Sequence, residues 1–141
     1  MPRLPFHLLL PLALLATGCG GAEQTPKERT RAALGEIFLL ASLADAERLA
    51  PYVVYGGDDP ARVWSDTADV SNRDERIHVD RLAARITALL GTQRPRFLTW
   101  STETAPEGVW LRWKVQGANG SAWFSCLEID GAIALADVEP D

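Results

Sequence analysis

The spacing of apolar residues changes twice along this chain, and each regime predicts a different kind of element. From Leu4 to Leu15 the residues are almost continuously apolar, interrupted by Pro5, His7 and Pro11. Between Thr25 and Leu90 apolar residues recur every three or four positions, the period of amphipathic helices. After Gly91 they alternate with polar residues, as in strands with one covered face.

The helical region carries its own start and stop signals. Thr25 can cap a helix, Pro26 suits its first turn, and Glu28 completes a capping box. Ala33, Leu34, Ile37, Phe38, Leu40 and Ala41 then predict a helix to about Leu43. Asp45 caps a short second helix through Ala50, ended by Pro51. Tyr52–Tyr55 reads as a short strand, Gly56–Asp59 as a turn, and Asp59-Pro60 as the start of one helical turn carrying Val63 and Trp64. Asn72 and Glu75 form a second capping box, opening a helix from Arg73 to Leu90 that stops at Gly91.

Four strands follow: Arg96–Glu103, Val109–Gln116, Ser121–Ile129 and Ala132–Val138. Asn119-Gly120 and Asp130-Gly131 are hairpin signals, because the favoured two-residue turn needs positive φ at both central positions. Helices followed by an antiparallel meander give the α+β class. Pairing through the turns sets Leu111, Trp113, Val115, Phe124, Cys126 and Leu135 on the face toward the helices. Glu128 and Asp137 fall on that face by parity. The opposite face mixes Arg112, Lys114, Gln116 and Ser125 with Trp110, Trp123, Leu127 and Ile129. A four-residue loop Ala105–Gly108 places Leu98 and Trp100 on the core side.

Charge and composition change the picture mainly at the N-terminus. Arg3, the apolar run and then Leu15-Ala16-Thr17-Gly18-Cys19 resemble a bacterial signal peptide ending in a lipobox. The run is shorter than the roughly 20 residues of a spanning helix, and two prolines interrupt it. The expected organisation is a signal peptide over 1–18, a lipidated Cys19 with a short tether over 19–24, and one domain over 25–141. An ordinary secretory signal with an unmodified Cys19 is the competing reading. Gly20, where inner-membrane lipoproteins carry Asp, resembles sorting to the outer membrane of a Gram-negative envelope, on its periplasmic face.

Removing eighteen residues from 141 leaves 123, enough for one domain with a core. The net charge moves from −5 to −6, because Arg3 is the only charged residue lost. That balance gives no basic face for nucleic acid and no polybasic patch for anionic lipid. Lipid on Cys19 would then be the membrane attachment. Cys126 is left without a disulfide partner.

The long first helix, then Leu43-Ala44-Asp45-Ala46-Glu47-Arg48-Leu49-Ala50, a third helix, and a meander ending Leu127-Glu128-Ile129-Asp130-Gly131-Ala132-Ile133 resemble the nuclear transport factor 2-like superfamily. The resemblance runs from about Thr25 to Val138. It implies a cone in which a curved sheet wraps around helices and leaves a pocket at the open end. Enzymes of that superfamily, such as ketosteroid isomerase and polyketide cyclases, use a pocket acid or base. Their catalytic residues do not carry over onto positions of this chain.

The chemical candidates follow from this frame. Glu128, and after it Asp137, are the carboxylates placed for acid–base work, which requires a titratable group in an apolar pocket. The competing reading for Glu128 is a hydrated strand-end residue or one paired with an arginine such as Arg96. His78 is a candidate base beside Asp80 or Asp45, against an ordinary surface histidine. It is the one histidine left after the signal, so a multi-histidine metal site is excluded and no cofactor is expected. Tyr52, Tyr55 and Trp64 are expected at a pocket rim, where they would contact a small apolar ligand. Trp110, Trp123, Leu127 and Ile129 are expected at a homodimer or envelope-partner interface, since interface cores are rich in aromatics. The reading is a non-catalytic ligand-binding or protein-interaction module. The alternative is a small isomerase, cyclase or lyase using a pocket carboxylate, and a third option is a filled cone with no ligand.

Overall fold

The structure is a computed structural model and describes residues 23–141. The apolar run, the lipobox and Cys19 lie outside the described residues. Helices α1 (Pro26–Ser42), α2 (Ala46–Leu49) and α3 (Arg73–Leu90) precede strands β1 (Arg96–Ala105), β2 (Gly108–Gly117), β3 (Gly120–Ile129) and β4 (Ala132–Pro140). A single 3-10 turn, Ala50–Tyr52, continues α2. The strands form an antiparallel sheet in the order β1-β2-β3-β4, so the class is α+β.

Helix α1 begins with a complete capping box. The Thr25 hydroxyl accepts the Glu28 N–H at 3.2 Å, and the Glu28 carboxylate accepts the Thr25 N–H at 2.9 Å. Asp45 caps α2 by accepting the Arg48 N–H at 3.1 Å. Asn72 caps α3 by accepting the N–H groups of Asp74 and Glu75. The reciprocal bond from Glu75 is not made, because its carboxylate is engaged elsewhere.

The helices cover one face of the sheet. Leu34, Ile37 and Phe38 of α1, with Val79, Leu82 and Ile86 of α3, meet Trp113, Val115, Phe124, Cys126 and Leu135. Aromatic rings fill the middle of this layer: Phe38 lies edge-on to Phe124 at 5.0 Å, and Phe97 to Trp113 at 5.3 Å. Cys126 is fully buried here, and desolvation pushes its thiol pKa well up. It serves as a small apolar side chain.

Two bulges overturn the simple alternation. Between Phe97↔Val115 and Thr99↔Lys114, Leu98 is an extra residue. Phe97 therefore packs on the helix side, and Leu98, expected there, is 43% exposed. Trp100 lies opposite Trp113, as expected for the core side. Between Leu135↔Cys126 and Asp137↔Ser125, Ala136 is the extra residue. Asp137 accordingly turns to the open face, and Val138 takes the core position opposite Phe124. An inserted residue reverses the facing of everything beyond it, and residue parity alone does not register it.

The turns divide in the same way. Asp130 and Gly131 both have positive φ (49° and 81°), the hairpin geometry expected of them. Asn119 serves a different purpose. Its side-chain amide donates to the Ala88 carbonyl at 2.7 Å, and the N–H groups of Ala118 and Asn119 donate to Leu90 and Leu89. The β2–β3 hairpin thus satisfies the carbonyls at the end of α3. Gly117 permits this approach, since a Cβ there would come within 2.5 Å of the Leu89 carbonyl oxygen.

Val53 and Val54 reduce the expected short strand to isolated bridges. The Val54 N–H donates to the Leu135 carbonyl at 2.8 Å, which meets the free edge of β4 at one point. Residues 60–65 form turns, and Trp64 has a φ of 60°. The Arg62 and Val63 N–H groups donate to the Asp59 carbonyl at 3.0 and 3.1 Å, the single helical turn expected there. Phe124 is fully buried at the centre of the layer. Its replacement by alanine should cost about 3–5 kcal/mol of stability, read by denaturant unfolding, because the aromatic cluster closes poorly over the cavity.

Candidate binding groove

The segment between α2 and α3 brings Val54 and Trp64 onto the open face of the sheet. It has little regular structure, and Arg62 organises it. The Arg62 guanidinium donates to both carboxylate oxygens of Glu75 at 2.6 and 3.1 Å. It also donates to Asp66 at 2.7 Å and to the Thr67 carbonyl at 3.0 Å. Its Cζ lies 4.1 Å from the centre of the Tyr55 ring. Glu75 additionally accepts the Asp69 N–H at 2.6 Å.

The electrostatic result is a clamp of three charged groups. Hydrogen bonds from Arg62 hold the Glu75 carboxyl below its usual range, and a separate bond from the Arg62 Nε, with one from the Thr67 N–H, lowers Asp66. Only 10% of the Glu75 side chain is exposed. A bidentate arginine–carboxylate pair with that much cover is far more rigid than an ordinary surface ion pair.

The clamped strap carries Trp64 over the sheet, where its ring stands edge-on to Trp110 at 5.5 Å. Val54, Leu127, Ile129 and Ala134 are buried beneath as a second, smaller apolar cluster. Beside it lies an open groove of about 490 Å³, walled by Trp64 and Trp110 and reaching His78, Ser125 and Asp137. Arg112 occupies its floor. Arg112 donates to the Ser125 hydroxyl at 3.0 Å and to Glu139 at 2.7 Å, and lies 5.1 Å from the Trp123 ring centre. Glu103 stands 4.0 Å away on its other side.

The structure brings some of the candidate residues together and separates others. Asp137, His78, Trp64 and Trp110 share this groove. The Asp137 carboxylate accepts the Val138 N–H at 2.8 Å and is exposed. Glu128 sits on the helix side, at the end of β3, half-exposed and 3.4 Å from Arg29. Arg29, not Arg96, is its arginine partner, and also donates to the Gly131 carbonyl at 3.0 Å. Tyr52 packs against the main core. Tyr55 is buried under Arg62, and its hydroxyl accepts the Asp59 N–H at 3.1 Å.

Of the expected interface residues, Leu127 and Ile129 are only 2% and 7% exposed. The strap covers them within the same chain, so they offer no surface to a partner. Trp110 and Trp123 stay half-buried on the open face. Arg62 was not among the sequence candidates. The signal available for it was the Arg62–Asp66 spacing of four; Glu75 lies thirteen residues away and gives no local cue.

Among the described residues no group of three or more His, Cys, Asp or Glu is placed to hold a metal ion. No described helix is long and apolar enough to cross a membrane. No family model, curated protein or solved structure matches the chain.

The clamp gives stability a defined pH dependence. Glu75 has a lowered pKa in the folded state, so its contribution is complete above the ordinary value of 4.5 and is lost as pH falls through the lowered value. Glu75→Gln should reduce the thermal midpoint by about 5 °C at pH 7. The gap from the parent protein should narrow as the pH is taken below 4.5, followed by circular dichroism melts.

Proposed function

We propose that this chain is a lipid-anchored bacterial envelope protein whose domain acts non-catalytically, as a ligand-binding or protein-interaction module. In this reading Cys19 carries the lipid, residues 20–24 are a short tether, and the domain has the nuclear transport factor 2-like cone. The observation that carries the binding role is the groove on the open sheet face, walled by Trp64 and Trp110. Aromatic walls with a polar floor supply contact area and orientation at once.

The disposition of the carboxylates supports a non-catalytic role. Glu128 is ion-paired and half-exposed beside Arg29, and Arg112 is engaged by Ser125 and Glu139. An acid–base catalyst needs a carboxylate held in an apolar, water-poor site. The helix side of the sheet, where the superfamily's pocket would lie, is occupied by Phe38, Phe97, Trp113 and Phe124. One observation favours the alternative enzyme reading: His78 and Asp137 line the same groove.

Two measurements test the proposal. Labelled palmitate should enter the protein in bacterial cells, and Cys19→Ser should abolish the label; equal labelling of both forms sinks the anchor. A photo-reactive residue at position 136, in the groove, should trap a partner or small molecule in the envelope, and Trp110→Asp should remove the adduct. No adduct from position 136, together with an unliganded mass for the protein taken from its membrane, sinks the binding role.

A further inference from the structure

The two edges of the sheet are treated differently by the rest of the chain. The β4 edge is met near its middle by Val53-Val54, through one bridge and a hydrogen bond to Leu135. Strand β1, at the other edge, pairs with β2 alone among the described residues. It is ten residues long, about 33 Å of backbone with one side unpaired. Edge strands that stay solitary are usually short, or carry charges, proline or bulges. β1 is long and has no lysine or proline within it, and Pro95 and Pro106 bound it from just outside. Its one bulge is at Leu98, and its two charges, Arg96 and Glu103, are of opposite sign.

We propose that the outer edge of β1 pairs antiparallel with β1 of a second copy of this chain, about a two-fold axis at Trp100. The side chains select that register. With Leu98 taken up by the bulge, Arg96, Thr99, Ser101 and Glu103 lie on the open face, and Phe97, Trp100 and Thr102 on the helix face. Placing Trp100 opposite the second copy's Trp100 sets Thr99 opposite Ser101 and Arg96 opposite Glu103. The two-fold axis makes the arginine–glutamate pair occur twice. Every side chain also meets a neighbour on its own face, which a one-residue slip destroys.

Slipping the register by two positions in either direction removes both ion pairs. One such slip places Arg96 opposite Ala105, and the other places it opposite Ser101. Glu103 is open to a new partner, since its side chain is 68% exposed and reaches Arg112 only at 4.0 Å. Arg96 is likewise exposed.

The helix side of the same edge is unfinished in one copy. Phe97 and Trp100 are only partly buried, and a groove of about 450 Å³ between α1 and the start of β1 exposes Ala32, Gly35 and Phe97. In the paired sheet Phe97 comes opposite the second copy's Thr102, and the Trp100 side chains meet across the axis. Glu103 and Ala105 also line the Trp64–Trp110 groove, so the second copy's Arg96 comes to its rim.

The test uses the full chain in mild detergent, sized by sedimentation equilibrium. The parent protein should be a dimer, and Thr102→Pro, which removes an N–H that points away from β2, should leave a monomer with unchanged circular dichroism. Arg96→Glu and Glu103→Arg should each weaken the dimer about tenfold, since each puts like charges opposite one another at two sites. The double reversal should restore affinity to within about threefold of the parent. A parent protein that stays monomeric at millimolar concentration overturns the proposal. So does a dimer indifferent to the single reversals, or one that the double reversal does not restore. The charge reversals lie on exposed side chains and remain decisive if Thr102→Pro fails to fold.

Discussion

The open face of this sheet depends on the clamp that Arg62 makes with Glu75, Asp66 and Tyr55. The segment it holds has two isolated bridges and a set of turns in place of a helix or strand. Without cooperative backbone hydrogen bonding, such a segment keeps one shape only if side chains fix it. Arg62 does this from a single position, reaching forward to α3, along the strap to Asp66 and Thr67, and back over the Tyr55 ring. The placement of Trp64 over Trp110 follows from it, and so does the burial of Leu127 and Ile129. Because the clamp consists of ionised groups whose carboxylates are held below their usual range, the strap loses stability in acid.

The two faces of the sheet are finished by different physics. On the helix side, apolar burial and aromatic packing fill the space between helices and strands. Its few buried polar groups bond to backbone, as the Trp113 indole N–H does to the Lys27 carbonyl at 3.3 Å. The open side is organised by charge: Arg112 ties Ser125 to Glu139, while the Trp64–Trp110 contact closes one end. A ligand or partner on that face would meet groups that are already paired. Recognition would then rest on the aromatic walls and on exchange of rim contacts, with little room for a strongly basic or acidic catalyst.

Much of the fold was legible because it is governed by local rules. Thr25 with Glu28, Asp45, and Asn72 each cap the helix that their sequence context predicts, since a cap needs only neighbours within three residues. Asp130-Gly131 turns as expected for the same reason. The misread positions have distant causes. Leu98 and Asp137 changed face because each lies at an extra residue whose need is set by the partner strand and by sheet curvature. Asn119 is used to close α3, thirty residues earlier in the chain. Glu128 found Arg29 instead of Arg96 because α1 crosses the sheet end, which strand parity does not reveal.

The sequence by itself determined the order and type of the main elements and the antiparallel meander. It also determined the face on which Trp113, Phe124 and Cys126 are buried. These depend on periodicity and on caps and turns that act over a few residues. The tertiary structure decided the two bulges, the arginine that clamps the strap, and which of the open-face residues remain accessible. Those outcomes rest on side chains meeting across many residues of separation. Only the folded chain brings Arg62 to Glu75, Trp64 to Trp110, and Arg29 to Glu128.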